Sequence, residues 1–301
     1  MKSFSEFTKN ELFKKDNSNS CCDFAELSGM MLFGSNITLK RIRFATENED
    51  VLERYITLAD KFDMKVGVTR TSDLSSRCLA VVSDKDDISR LAEKLGIIDS
   101  ATGLIKYRIS DKIIKNECCV RAFVKGAFLG GGTVIDPKKA YNLEIITPYM
   151  GLHNDFLDLL TKSGFEFKTV MRKSKYVLYT KRSEVIEDFL SFIGAFNAQM
   201  ELINIKIDKE IHNSFNRSIN IESANYDKTI DASVKHIKAI EKIENKIGLD
   251  ELPPDLKEIA ILRLDNKSMS LQELGKLLNP PLGKSGVNHR LKKIIEISES
   301  L

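Results

Sequence analysis

The sequence predicts an α+β chain in two parts: a pseudo-two-fold domain made of two copies of one unit, then an all-α helix-turn-helix domain. Three observations carry this reading. A pair of adjacent cysteines, Cys21–Cys22, returns as Cys118–Cys119 at the head of a second, similar glycine-bearing segment. Each copy then alternates short apolar strands with amphipathic helices. Past Asn197 the strand patterns cease, and a run of capped helices ends in a basic one.

Composition sets the outer bounds. The 301 residues suffice for two domains. With 42% hydrophobic and 30% charged residues the composition is that of an ordinary globular chain. No apolar run approaches the ~18 residues of a membrane span. The opening "MKSFSEFTKNELFKK" is a charged amphipathic helix without an apolar signal core, so residues 1–20 point to the cytoplasm. The 46 basic and 43 acidic residues leave a net charge of +3, too balanced to argue for nucleic acid by itself. Local clustering has to decide.

The repeat comes from an ungapped match. "CCDFAELSGMMLFGSNI" (Cys21–Ile37) lies over "CCVRAFVKGAFLGGGTV" (Cys118–Val134), pairing Ala25 with Ala122, Gly29 with Gly126 and Gly34 with Gly131. In both copies there follow a strand, a Thr-led break, an amphipathic helix and another strand. A short strand ("CLAVV" or "YVLYT") and a closing helix complete each copy. Two helices crossing near a pseudo-two-fold axis approach closely only where side chains are missing, so Gly29 and Gly126 are expected to face each other. The expected partition is an N-terminal helix over 1–20, a first repeat over 21–115 and a second over 116–200. A polar, Asn-rich linker with some helix over 201–225 and the helix-turn-helix domain over 226–301 complete it.

Four of the five cysteines form the two vicinal pairs, and no C-x-x-C is present. A four-thiolate zinc site is one reading; small buried residues in a reducing compartment are the simpler one. On that reading no metal and no cofactor is expected. The glycine-rich "VKGAFLGGGTV" is not a phosphate loop, because it follows a helix and lacks the Lys-Ser/Thr that would grip a nucleotide.

A glycine-bearing helix in each half, ending at a small residue and feeding a strand, resembles the LAGLIDADG fold of homing endonucleases. The resemblance implies that each helix would end in an acid holding a divalent metal beside DNA. Those positions here are Gly34 and Gly131, so the metal-binding carboxylates of a nuclease are missing. Asp136, in "DPKK", reads as a turn opener; an endonuclease with displaced acids is the alternative. No catalytic residue is expected.

Basic residues cluster at two strands. Arg41 and Arg43 fall on one face of a strand. Lys168, Arg172, Lys173 and Lys175 fall in "FEFKTVMRKSKYVLYTKR", where the sole acid is Glu166. These are secondary candidates for phosphate contact.

In the last quarter, Ile230, Val234, Ile237, Ile240, Ile243 and Ile247 recur at helical spacing before "GLDELPP". Capping boxes are expected in "DLKE" (Asp255, Glu258) and "SLQE" (Ser270, Glu273). A helix opening at Ser285 buries Val287, Leu291, Ile294 and Ile295. At ~100° per residue, Ser285, His289, Lys292 and Lys293 lie opposite this stripe, with Asn288 and Arg290 on its flanks. Arg and Lys donate to guanine or phosphate, and Asn pairs bidentately with adenine. Lys284 and the helix N-terminus suit a phosphate. Gln272, one helix earlier, is a further DNA candidate. A solvated basic face on a small bundle is the bland alternative.

"LRL…SLQELGKLL…SGVNHRLKKI" also resembles region 4 of bacterial sigma factors. One family joins a degenerate LAGLIDADG domain to such a helix-turn-helix, the WhiA proteins. The chain resembles it along nearly its whole length, through "RAFVKGAFLGGGTVIDPKKAYNLEI", "NRSINIESAN" and "LGKSGVNHRLKKI". This implies a DNA-binding transcriptional regulator of cell division and chromosome segregation, and of sporulation in some bacteria, without nuclease activity. The resemblance places the reading function on Ser285, Gly286, Val287, Asn288, His289 and Arg290. Double-stranded DNA is the expected partner of a monomeric, nucleoid-associated protein, with RNA polymerase or another regulator as a further partner of the repeat domain.

Overall fold

The computed structural model describes residues 3–17, 19–70, 78–98 and 102–301. Residues 1, 2 and 18 of the expected N-terminal helix, and 71–77 and 99–101 of the first repeat, lie outside the described residues. The chain divides into two units, Met1–Asp208 and Lys209–Leu301.

In the first unit, helix α1 (Phe4–Phe13) precedes two copies of one topology. The first copy runs α2 (Ser20–Gly34), β1 (Ser35–Thr38), β2 (Arg41–Thr46), α3 (Glu49–Asp60), β3 (Gly67–Arg70), β4 (Cys78–Val82) and α4 (Lys85–Leu95). The second runs α5 (Glu117–Gly131), β5 (Gly132–Val134), β6 (Leu143–Thr147), α6 (Met150–Lys162), β7 (Lys168–Arg172), β8 (Lys175–Thr180) and α7 (Ser183–Ile193). Each forms a four-stranded antiparallel sheet, ordered β1-β2-β4-β3 and β5-β6-β8-β7. The helices cover one face, so inward residues alternate with outward ones: on β2, Ile42 and Phe44 are buried while Arg41 and Arg43 are exposed.

At the centre α2 packs on α5, and the matched glycines set the distance. A methyl on Gly126 would overlap the Glu26 carbonyl; one on Gly29 would stand 2.6 Å from the Ala127 nitrogen. The helices therefore touch backbone to backbone, as expected from the repeat. Such close packing buries α2 on nearly every side, including Asp23 and Glu26. Burial of a carboxylate is costly unless it is paired. Glu26 accepts from Arg54 through both oxygens at 2.9 Å, from Lys125 at 3.1 Å and from Asn17 at 2.6 Å. Since Lys125 is on α5 and Arg54 on α3, this one carboxylate ties three helices together.

The vicinal cysteines sit in the first turns of α2 and α5. Cys22 and Cys119 are buried, as the simpler reading of the sequence expects, but Cys21 and Cys118 are exposed and fill no core.

Residues 201–225, expected as a linker with some helix, are helical throughout, within α8 (Phe196–Lys246). The division between the units falls inside this helix. In the first unit its N-terminus is capped from α1: Glu11 accepts from the amides of Asn197 and Ala198 at 2.9 and 3.0 Å.

In the second unit the end of α8 joins α9 (Pro254–Asp265), α10 (Leu271–Leu277) and α11 (Lys284–Ser300) around one core. Ile240 and Ile243 enter that core, whereas Val234 and Ile247 are exposed; Ser233 and His236 take the buried positions instead. The Ser270–Glu273 capping box is present, with bonds of 3.3 and 2.8 Å. The box expected at Asp255 and Glu258 is not, because Pro253 occupies the cap position of α9. No helix among the described residues is long and apolar enough to cross a membrane.

Candidate nucleic-acid interface

The α10–α11 pair is joined by a tight turn. The Leu282 amide donates to the Gly275 carbonyl at 2.9 Å, and a Cβ at Gly275 would overlap the Leu282 carbonyl. That contact fixes where α11 begins. Its first turn has Gly283 at the cap position and no side-chain cap, so its leading amides are available to an anion.

Along α11, Val287, Leu291 and Ile294 are fully buried. Lys284, Ser285, His289, Lys292 and Lys293 are exposed on the other side, where the helical period places them. Asn288 is half-buried at the border, and Gln272 is exposed on α10. Three candidates are relocated. Val287 is a core residue, because its period matches Leu291 and Ile294, and it presents nothing to a groove. Gly286 is half-buried and lies over Leu282, without a side chain to read a base. Arg290 turns towards α9: its Nε is 3.6 Å from an Asp255 oxygen, and Nη1 donates to the Asp255 carbonyl at 3.3 Å. Glu258 stands 4.0 Å away. The guanidinium is thus engaged inside the fold, by partners far along the chain.

The open faces of the two sheets carry the secondary candidates. Arg41 and Arg43 border a cavity of about 320 Å³ with Gly34, Asn36 and Thr38. In the second sheet the register puts Lys168 across from Tyr179 and Arg172 across from Lys175. Lys173 occupies the hairpin turn with φ of 47°. Glu144, on β6 and so across β8 from β7, pairs with Arg172 at 2.9 Å. Counting charges along the hairpin missed this acid, since only the sheet brings it there. Of the group, Arg41, Arg43, Lys168, Lys173 and Lys175 are exposed and Arg172 is committed to Glu144.

The C-terminal ends of α2 and α5 are where the LAGLIDADG resemblance implies acids. A side chain at Gly34 would strike the Phe44 ring, and one at Gly131 would stand 2.8 Å from the Ile146 carbonyl. A cavity of about 640 Å³ lies here, lined by Lys9, Glu6, Glu47, Gly130 and Thr133 among others. Lys9 from α1 donates to the Leu129 carbonyl at 3.3 Å. Burial pushes its pKa down to about 8 despite the nearby Glu47. An ammonium therefore sits at a helix end whose partial negative charge attracts cations. No sequence pattern announced Lys9, since α1 lies outside both repeats. Asp136 spends its carboxylate in its own turn, accepting from the Lys138 amide at 2.9 Å.

Comparison with known proteins agrees with this architecture. Residues 215–298 match the model of the WhiA C-terminal helix-turn-helix domain, and residues 120–212 that of the WhiA LAGLIDADG-like domain. A protein of Alkaliphilus metalliredigens named as cell division protein WhiA is 38% identical over 309 residues, covering 99% of this chain and 98% of its own. Its counterpart in Carboxydothermus hydrogenoformans is 40% identical over 305 residues, with the same coverage of 99% and 98%. The crystal structure of a full-length WhiA protein from Thermatoga maritima matches with a TM-score of 0.62 at 25% identity, covering 100% of this chain and 99% of that one.

Proposed function

The chain belongs to the WhiA family of cell division proteins, and from that premise we propose that it is a sequence-specific DNA-binding regulator without nuclease activity. The observation that carries this is α11: a helix with a fully buried stripe and, opposite it, Lys284, Ser285, His289, Lys292 and Lys293, ending in an uncapped N-terminus. Lysines and leading amides hold phosphates and set the register, while His289 and Asn288 read base edges in the major groove. Gln272 from α10 adds a flanking contact.

The repeat domain contributes phosphate contacts through Arg41, Arg43, Lys168, Lys173 and Lys175, or receives a protein partner such as RNA polymerase. Gly34, Gly131 and Lys9 argue against catalysis. Hydrolysis by two metals needs carboxylates at the helix ends; Glu6 and Glu47 reach this cavity from other elements, and the Lys9 ammonium stands beside them. The protein works as a cytoplasmic, nucleoid-associated monomer.

Incubation of the full chain with duplex DNA in magnesium or manganese separates the readings. Bound and intact DNA is expected. Metal-dependent cutting that Asp136→Ala abolishes would establish the endonuclease instead.

A further inference from the structure

Four thiols, two from each repeat, meet at one end of the central helix pair. The sulfurs of Cys21, Cys22, Cys118 and Cys119 all lie within 4.8 Å of one another. All four cysteines are free thiols, two buried and two at the surface. Because the pairs occupy matching places in α2 and α5, the cluster straddles the pseudo-two-fold axis. The cap residues of these helices, Asn19 and Asn116, make no side-chain cap. The positive ends of two fifteen-residue helices thus converge on the sulfurs and complement the charge of a thiolate site.

Geometry identifies the ligand. Four thiolates around a tetrahedral ion at ~2.3 Å stand about 3.8 Å apart. Sulfurs already within 4.8 Å reach that spacing by small side-chain rotations. Soft thiolates select zinc over the hard cations that carboxylates hold. The vicinal spacing put this set second to simple burial in the sequence, and the exposure of Cys21 and Cys118 together with the convergence of the sulfurs reverses that order.

We propose that Cys21, Cys22, Cys118 and Cys119 form a structural zinc site that staples the two repeats together at the N-terminal ends of α2 and α5. Four protein ligands close the coordination sphere, so the ion joins and does not catalyse. On binding, each thiol loses its proton to solvent and four Zn–S bonds form. Four protons leave, the site carries a net charge of 2−, and no electron moves. The ion closes a chain loop that includes the entire first repeat, so its binding energy is folding energy for the repeat domain. It lies at the end of the helices opposite Gly34 and Gly131.

The test uses the full chain, reduced and freed of metal, titrated with cobalt(II) as a spectroscopic stand-in. One cobalt per chain is expected, with thiolate-to-cobalt charge-transfer absorption and tetrahedral ligand-field bands that zinc abolishes. The zinc-loaded chain is expected to melt above the chelator-treated one. Cys21 and Cys118 are exposed, so the double variant Cys21→Ser/Cys118→Ser is expected to keep its circular dichroism spectrum. It should lose affinity by more than the about 100-fold that loss of an outer-shell partner can cost. A reduced wild-type chain without charge-transfer absorption would overturn the proposal. So would a double variant with the wild-type cobalt spectrum, or two disulfides re-forming in excess zinc.

Discussion

Asn288 and Arg290 are two positions apart on α11, yet only Arg290 is held by acids of α9. Asn288 borders the exposed face, so Asn288→Ala is expected to relax base preference by about 1–3 kcal/mol per lost contact. Binding to matched and mismatched duplexes measures it. Arg290 is tied to Asp255 and Glu258. Arg290→Ala should therefore cost about 1 kcal/mol of stability, as a partly exposed ion pair does, and leave base preference intact. Lys292 is exposed; its replacement by alanine should weaken binding to every sequence alike and reduce the log–log salt slope by about 0.9. His236 titrates rather than binds. It is buried with Nδ1 unpaired, and burial, with Arg263 nearby, pushes its pKa down to about 4. The unfolded chain takes up this proton first as pH falls. Stability is thus intact above about pH 6.5 and declines between there and pH 4, by about 3 kcal/mol. Thermal melts across that window should show the decline, and His236→Gln should flatten it.

At the scale of elements, the α2–α5 pair depends on absent side chains and one buried carboxylate. Gly126→Ala gains up to about 1 kcal/mol of helix propensity but drives a methyl into the Glu26 carbonyl. The helices must separate, at a cost of about 1–3 kcal/mol or more, so a net loss in denaturant midpoint is expected. Glu26→Ala leaves Lys125 buried without its anion and Arg54 with only the exposed Asp16, and should cost about 3–5 kcal/mol. Both glycines were legible from the repeat. The Glu26 network was not, because its members come from α2, α3, α5 and the residues before α2, and no local pattern links them. The same limit hid Arg290's partner and Glu144. It also explains residues 201–225: residues 210–228 of α8 are exposed, so no buried face imposes the apolar period that marks a helix.

For the whole molecule, order along the chain was the most readable property. Two α+β repeats and a terminal helix-turn-helix followed from periodicity, cysteine spacing and one capping box, while the order of elements within each copy and one or two of its strands came from the structure. The exposed face of α11 was legible because helical geometry alone separates it from Val287, Leu291 and Ile294. The convergence of the four thiols across the axis, and the arrival of Lys9 from α1 at the opposite helix end, needed the fold. The central claim is that this architecture reads DNA sequence through α11 and leaves the strand uncut. Selection of bound duplexes from a random library by the full chain, with magnesium present, tests it most directly. The account predicts one enriched motif, recovered uncleaved, whose strongest base preferences disappear in the Asn288→Ala/His289→Ala variant. Recovery of unenriched or cleaved DNA, or the same motif from the variant, would contradict it.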